Sequence, residues 1–353
     1  MLRLEPRAQP SAWMAWLSPV LAVLLTALCG VILFSAVGKD PVASLGVFFY
    51  EPIKDLRGWS EVGVKVAPLL LIAVGLSMCF RANVFNIGAE GQLVVGAIAA
   101  GATVLHLDDG SNGGPVLIAL ALVVGALGGM AWAAIVAFLK DRFNANEILV
   151  SLMLVYVAEL LLSWLVHGPL IDPDGFGFPQ SRLFSDGFLL PSVLSGTRLH
   201  IGIVLAFVAS LLGWAYLSRS FSGFKLRVGG MAPLAARYAG FSSRRTLWTA
   251  MLISGGLAGV AGAAEVMGPI GQLTPSISPG YGFAAIIVAF VGRLHPVGVV
   301  FSSFIMALFY IGGELSQTRL GMPSAITGIF QGILLFALLA CDVMIHNRLR
   351  WRK

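Results

Sequence analysis

The sequence predicts an all-α polytopic membrane protein with about ten transmembrane segments, and two observations carry this prediction. Hydrophobic residues make up 58% of the 353 residues and charged residues only 11%, a balance well outside that of a soluble domain. Apolar runs of about 20 residues, long enough for a helix to cross a hydrocarbon core, recur along the whole chain. Because lipid-facing backbone must satisfy its own hydrogen bonds, such runs favour helices.

The apolar runs place ten membrane segments, and the eighth is too short to cross unaided. The first run is longer than the core of a signal peptide, so it is predicted as a retained span. The predicted segments are 16–37, 61–79, 84–105, 116–139, 146–167, 199–218, 246–266, 282–292, 294–311 and 324–345.

Charged loops alternate in sign along the chain. Most charged residues of the turn at 140–142 are Lys or Arg, and the connector at 219–245 contains no acid. The charged residues of the loops at 106–115 and 168–197 are, in contrast, mostly Asp. The positive-inside rule therefore predicts both termini in the cytoplasm. The net charge of +6 is therefore explained by the basic residues on the cytoplasmic side, next to membrane lipid. It gives no reason to expect a nucleic-acid partner.

The connector divides a single transmembrane domain, 1–353, into block 1 (about 61–218), the cytoplasmic region 219–245 and block 2 (about 246–345). Within the connector, "APLAARYAGF" predicts a short helix, since Pro233 suits a first helical position and Gly240 suits the left-handed cap that ends it. Two roles remain open for this basic helix: docking on another protein, or resting at anionic headgroups.

Block 2 opens on two stripes of small residues, which predict close helix packing. The Gly- and Pro-broken segment at 267–282 then precedes a short apolar run, and "GQL" occurs both at 91–93 and at 271–273. A broken segment in each half is typical of a repeated fold with a central site, so we expect two related membrane blocks with broken helices. The stripes are Gly255, Gly259 and Ala263, and Ser254, Ala258 and Gly262.

The sequence carries no Walker A pattern, GxSxG elbow, HExxH or Cys/His metal spacing, which argues against an enzyme and against a metal or cofactor held by this chain. Ion-coupled transport requires ionisable groups inside the membrane. Glu90 and Glu159 are placed to serve, so an ion-coupled secondary transporter of a small polar solute is the alternative function. A purely structural membrane scaffold is a further alternative.

The stretch "FRANVFNIGAEGQLVVGAIAAG" (80–101) places strongly polar residues in an apolar surrounding. On a continuous helix, Asn83, Asn86 and Glu90 fall within a sector of about 60°, and Gln92 points to the opposite side. Exposing that line to lipid costs several kcal/mol, so we expect it to face the bundle interior or a water-filled path. Cross-linking of helices and lining of the substrate path both remain open.

Four stretches together resemble a known family. They are "FRANVFNIGAEGQLVVGA" (80–97), "NEILVSLMLVYVAELLLSWLVHGPLIDPDGFGFPQS" (146–181), "RVGGMAPLAARYAGFSSRRTLWTAMLISGGLAGVAGA" (227–263) and "GYGFAAIIVAFVGRLHPVGVVFSSFIMALFYIGG" (280–313). The combination resembles the permease subunits of bacterial ABC importers for branched-chain amino acids, simple sugars and nucleosides. The NIGAEGQ form is similar to the nucleoside and simple-sugar branch.

The resemblance implies a multi-pass subunit of the bacterial plasma (inner) membrane that forms the path for a nucleoside-like or simple-sugar solute. It implies three partners: a separate ATP-binding subunit, a second permease subunit from a paired gene, and an extracytoplasmic solute-binding protein. ATP would be bound by the partner, and no covalent chemistry falls to this chain. The implied coupling helix contains Pro233, Ala235, Ala236, Arg237, Tyr238 and Gly240, and the candidate path residues are Asn83, Asn86, Glu90, Gln92 and Glu159.

Two positions depart from the family pattern. Val155 stands where "MLNY" usually places Asn in the fifth segment, which removes a polar group from a candidate solute-lining helix. Ala232 stands where Asn usually precedes the coupling-helix proline, so a helix cap is lost. Because of the first departure, nucleosides, purine bases, sugars and a flavin-like vitamin all remain possible solutes.

Overall fold

The computed structural model describes residues 2–7, 11–108 and 113–351, and its architecture is almost entirely helical. Its α-helices are α1 (Ala12–Ala36), α2 (Pro41–Leu45), α3 (Leu56–Arg81), α4 (Ala89–Leu107), α5 (Pro115–Phe143), α6 (Glu147–His167), α7 (Gly202–Arg219), α8 (Phe221–Met231), α9 (Pro233–Tyr238), α10 (Ser243–Glu265), α11 (Tyr281–Val291), α12 (Pro296–Leu320) and α13 (Ala325–His346). Short π-helical segments occupy Gly46–Tyr50 and Val266–Ile270, and 3₁₀ turns occupy Glu51–Ile53 and Asp186–Phe188.

Within the described ranges, nine helices are long and apolar enough to cross a membrane, and α11 is a shorter apolar helix. The predicted polytopic fold is therefore confirmed, including the short eighth segment. Several predicted bounds were wrong by four residues or more, among them those of α4 and α12. Residues 84–88 are not helical, because the chain turns at Asn83 and α4 begins only at Ala89. Helix α12 continues to Leu320, past the predicted end at 311. The prediction stopped where the apolar run ends, but the polar turns that follow are also helical.

Contacts divide the chain into two compact units, Met1–Val62 with Ile305–Lys353, and Gly63–Phe304. In the first unit, α1 packs along α13, and an aromatic cluster forms around Phe330. Its ring stacks on Phe48 with centroids 4.3 Å apart and lies 5.8 Å from Phe34. The Ser18 hydroxyl donates to the Asp342 carboxylate at 2.5 Å, which satisfies a polar group of each of these two helices.

The two ends of the chain pair as short strands, β1 (Leu2–Pro6) and β2 (Asn347–Trp351), in antiparallel register. No strand was predicted from the sequence, and this pair is a small addition to a fold that is otherwise helical in the described residues. The pairing joins residues more than 340 positions apart and leaves both termini together on one side. That this side is cytoplasmic stays a prediction.

Helices α4, α5 and α10 form the core of the second unit by backbone-to-backbone contact at glycines. A Cβ at Gly96 would meet the backbone of Gly259, and one at Gly129 would meet the carbonyl of Gly255. A Cβ at Gly262 would meet the carbonyl of Leu93. The small stripes predicted for α10 therefore do pack closely, as small residues allow in membrane bundles.

The loop between α6 and α7 covers the end of α10 and the segment that follows it. The amides of Ser181 and Phe184 donate to the carbonyls of Leu273 and Gly271, each at 2.9 Å. Near the end of this loop, His200 is buried against Gly268. Burial lowers the pKa of His200 to about 4, so this imidazole is neutral near neutral pH.

We expect Gly259→Ala to lower the thermal stability of the purified protein by about 1–3 kcal/mol, because the added methyl has no room between α10 and α5. Its Cβ would touch the Gly125 carbonyl and lie 3.1 Å from the Cα of Gly129. Gly328→Ala in α13 is the matched control, since a Cβ there meets nothing within 4 Å. Thermal unfolding in detergent measures both, and equal midpoints for the two variants would contradict the glycine-packed core.

Candidate functional site

Three buried polar side chains tie the region where α4 begins to the middle of α10. The amides of Asn86 and Gln92 exchange two hydrogen bonds: Asn86 Nδ2 donates to Gln92 Oε1 at 2.9 Å, and Gln92 Nε2 donates to Asn86 Oδ1 at 3.0 Å. Asn86 Nδ2 also donates to Ser254 Oγ at 3.0 Å. All three residues are at most 1% exposed. We call Asn86, Gln92 and Ser254 the amide cluster.

Local geometry explains how Asn86 reaches this position. Asn83 adopts φ 56°, a left-handed conformation that Asn tolerates, and it turns the chain just after α3 ends. The following residues, 84–88, then run without helical structure to the start of α4. Gly88 lies against α6, where a Cβ would stand 2.7 Å from the carbonyl oxygen of Ser151. Only glycine allows this close approach.

The predicted single polar line is wrong, because it assumed a helix that continues through 83–88. Asn83 is exposed, whereas Asn86 is buried and faces Gln92, the residue expected on the opposite side. Glu90 points elsewhere and belongs to a different set of contacts. The four polar residues of this stretch therefore serve three separate environments.

Glu90 joins the start of α4 to the start of α11. Its Oε2 accepts the amide of Gly282 at 2.5 Å, and its carboxylate also accepts a hydrogen bond from the Ser278 side chain. Ser278 Oγ in turn accepts the amides of Gly280 at 3.2 Å and Tyr281 at 3.0 Å. A carboxylate at a helix start is favourable because the first amides lack helical partners and carry positive partial charge.

The starts of α4 and α11 therefore meet inside the second unit, and each follows an irregular segment. This arrangement fits the prediction of a broken helix in each half. Such meeting points need internal partners for their backbone groups when they lie at membrane depth. Glu90, which is 2% exposed, supplies these partners for α11.

The sequence analysis missed the residues that extend this junction. The Tyr281 hydroxyl donates to Glu265 Oε1 at 3.4 Å, and Lys65 Nζ lies 5.7 Å from the centre of the Tyr281 ring. Ser278 was also not predicted, and Ser254 was predicted only as part of a small-residue packing stripe. Ser278 had a usable signal, because a Ser just before a helix start is typical of a cap. The others had none, since single polar residues in apolar runs do not indicate their partners.

Helix α6 has one buried side and one exposed side. Ser151, Val155 and Ala158 are buried, and the Cα of Val155 lies 3.0 Å from where a Cβ of Gly91 would stand. Val155 therefore packs against α4 and does not face the exposed side. The departure from the family's Asn at this position thus changes the contact between α6 and α4. Glu159 is exposed. The exposed apolar residues around it are Met153, Tyr156, Val157, Leu160 and Trp164.

The connector contains the predicted short helix, α9, which ends at Tyr238, and Gly240 follows two residues later with φ 77°. Its N-cap residue, Ala232, makes no side-chain hydrogen bond, as expected where Ala replaces the family's usual Asn. Ala236 is buried, so its side chain is not available for docking. Tyr238 and Leu234, in contrast, are 95% and 74% exposed, and the sequence analysis did not include Leu234.

A set of polar contacts fixes the start of α10, directly after α9, to the end of α5. Asp141 Oδ2 accepts Arg244 Nε at 2.7 Å and Trp248 Nε1 at 3.1 Å. Lys140 pairs with Glu147 at 3.0 Å across the turn into α6. We call the contacts of Asp141 with Arg244 and Trp248 the Asp141 clasp. A groove of about 470 Å³ lies between this region and α9, and Asn83 is among its lining residues.

Within the described residues, helices of membrane length, two helix starts joined inside the second unit and a short exposed helix on the connector together indicate a polytopic membrane protein. Residues 59–339 match the family described as "Branched-chain amino acid transport system / permease component". The chain belongs to this family, and it is a multi-pass membrane protein.

Three relatives are ABC transporter permeases. The chain is 33% identical to the glucose ABC transporter permease protein TsgB13 of Haloferax volcanii, over 97% of this chain and 91% of that protein. It is 31% identical to the guanosine ABC transporter permease protein NupP of Bacillus subtilis, over 90% and 91%. It is 25% identical to the nucleoside ABC transporter permease protein NupB of Lactococcus lactis, over 91% and 89%.

The chain is therefore the transmembrane subunit of an ABC importer. ATP hydrolysis in such a system is carried by separate subunits, and an ATPase and a solute-binding protein complete the importer.

We expect Asn86→Ala and Gln92→Ala each to reduce the amount of folded protein, because each leaves the other amide buried without its partner, at about 1–3 kcal/mol. The double variant should lose much less than the sum of the two single losses, since the two amides bond to each other. Asn83→Gly is the control: Asn83 is exposed, and glycine keeps its left-handed conformation. Thermal unfolding and membrane abundance measure the effect, and additive losses would contradict the cluster.

Proposed function

We propose that this chain forms the membrane path of an importer for a solute that carries a sugar ring, either a simple sugar or a nucleoside. The observation that carries the proposal is similarity along nearly the whole chain to permeases named for glucose, guanosine and nucleosides. Glucose is itself a polyhydroxylated ring, and guanosine and other nucleosides carry such a ring as ribose or deoxyribose. A sugar ring is therefore the chemistry that these solutes share.

The path is proposed to lie along the exposed side of α6. A carboxylate exposed to hydrocarbon costs several kcal/mol, so the surface around Glu159 requires cover by protein or water. A second permease subunit supplies that cover, and we propose that it is the product of a paired gene. Glu159 and Tyr156 then offer hydrogen-bonding groups to solute hydroxyls.

The path residues predicted from the sequence divide among three places. Asn86, Gln92 and Glu90 are proposed to hold helices together, because their polar atoms already bond within the chain. Glu159 keeps its proposed place in the path. Asn83 is assigned to the connector side of the protein, where it lines the groove beside α9.

Helix α9 is proposed to dock on the ATP-binding subunit through Leu234, Arg237 and Tyr238. ATP binding would close the ATPase dimer, move α9 and open the path to the outside, so that solute released by the binding protein enters. Arg244 of the Asp141 clasp follows α9 closely along the chain, so the clasp offers a route by which movement of α9 reaches α5 and α10.

The decisive comparison is between ATP and an ion gradient as the energy source. The importer, reconstituted with both permeases, its ATPase and its binding protein, should take up labelled guanosine or glucose only while ATP is hydrolysed. Uptake that persists without hydrolysis and follows an imposed proton or sodium gradient would establish the ion-coupled alternative instead.

Leu234→Ala combined with Tyr238→Ala should reduce transport at least about tenfold while leaving subunit abundance unchanged, because both side chains are exposed and support no internal packing. Co-purification of the ATPase should fall in parallel. Arg245→Ala, an exposed residue of the same connector, is the control. Normal transport in the double variant would exclude α9 as the coupling helix and revive a role at the lipid surface.

Glu159→Gln should weaken transport without loss of folded protein, and Glu159→Leu should weaken it further, because Gln keeps hydrogen-bonding capacity and Leu does not. Each lost hydrogen bond to solute corresponds to about 0.5–1.5 kcal/mol. Leu160→Ala, on the same exposed side, controls for general loss of contact area. Uptake rates over a range of solute concentrations measure the effect, and unchanged uptake by Glu159→Leu would remove Glu159 from the path.

A further inference from the structure

Two arginines meet where the ends of α3 and α8 approach the turn between α11 and α12. Arg81 closes α3, and its Nε donates to the Leu294 carbonyl at 2.8 Å. Near the end of α8, a Cβ at Gly230 would contact the Arg81 carbonyl, so the two helix ends touch. Arg227 lies one turn earlier on α8. All of these residues belong to the second unit.

The meeting point is electropositive. Arg81 and Arg227 are close enough for their charges to oppose each other. His295 responds to the same field: burial, and after it the Arg81 charge, lowers the pKa of this imidazole. Two guanidinium groups at short range repel, and at physiological pH neither loses its proton to relieve the repulsion.

Arg227 also carries an unused donor. Its Nε–H is buried and, among the residues that the structure describes, finds no hydrogen-bond acceptor. Buried donors are nearly always satisfied, and leaving one unsatisfied costs about 1–3 kcal/mol, more when the group is charged. An oxyanion between the two guanidinium groups removes both costs, because each planar fork matches the oxygens of a phosphate.

We propose that Arg81 and Arg227 form a binding site for a phosphate group. The side chains next to Arg227 on α8 favour the headgroup of an anionic phospholipid as its source. Phe221 and Phe224 are 64% and 45% exposed, and Lys225 Nζ lies 4.3 Å from the centre of the Phe221 ring. Exposed aromatic rings beside basic groups are typical of elements at a lipid surface, where they sit at headgroup level. The same site chemistry accepts free phosphate.

Native mass spectrometry of the assembled importer, purified from nanodiscs of phosphatidylglycerol or of phosphatidylcholine, tests the site. We expect selective retention of phosphatidylglycerol, weakened about fivefold by Arg227→Gln and similarly by Arg81→Gln, as for loss of one cation near a headgroup. Arg245→Gln, an exposed arginine of the same connector, removes the same charge and should retain the lipid. Equal losses in Arg227→Gln and Arg245→Gln would reduce the lipid effect to general surface charge and exclude the headgroup as the source of the phosphate.

A second measurement separates the two sources of phosphate. Thermal unfolding of lipid-depleted protein is followed with inorganic phosphate against chloride at equal ionic strength. Stabilisation by phosphate that Arg227→Gln abolishes supports the site with a soluble anion, and selective lipid retention supports it with a headgroup. If neither lipid nor phosphate distinguishes Arg227→Gln from the wild type, the proposal fails.

A conservative variant guards against loss of folding. If Arg227→Gln does not yield folded protein, Arg227→Lys is measured in both experiments. Lysine keeps the charge but lacks the planar fork, so binding should weaken while the protein stays folded. Binding equal to that of the wild type in Arg227→Lys would exclude the bidentate site.

Discussion

The bond between the Glu90 carboxylate and the start of α11 is the contact on which the interior of the second unit depends. A membrane helix that begins inside a bundle leaves amides without helical partners, and neither lipid nor an apolar neighbour supplies them. Glu90 and Ser278 supply these partners to residues 280–282. Because Glu90 is the second residue of α4, the start of one broken helix completes the start of the other.

The amide cluster and the glycine contacts follow from that junction. For α4 to start beside α11, the chain must leave α3, turn at Asn83 and return through 84–88, which brings Asn86 to Gln92 and Ser254. The glycines on α5 and α10 then allow α4 to pack closely against both helices, which also contact each other. The Asp141 clasp binds α5 and α10 together again where α10 begins. The proposed movement of the connector would therefore act on helices that are already joined to the junction.

The sequence predicted the spans well because their signal is local: about 20 apolar residues identify a span whatever surrounds it. Gly and Pro likewise marked the irregular segment before α11. The predicted polar line was wrong because it assumed that the helix continues through 83–88. Asn83 adopts a left-handed conformation, so helical periodicity does not apply to these residues. The hydrogen bond of Ser254 and the β1–β2 pairing could not be predicted, because each depends on a partner more than 160 residues away.

The central claim is that the polar groups around the start of α4 are internal ties and that water and solute pass along α6. Single cysteines test it in an importer whose Cys29, Cys79 and Cys341 are replaced by Ser. With a water-soluble thiol reagent, Glu159→Cys should react in the assembled importer, at a rate that changes on ATP binding. Ser254→Cys should react only after unfolding. Reaction of Ser254→Cys as fast as that of Glu159→Cys would place the amide cluster in the path and contradict the claim.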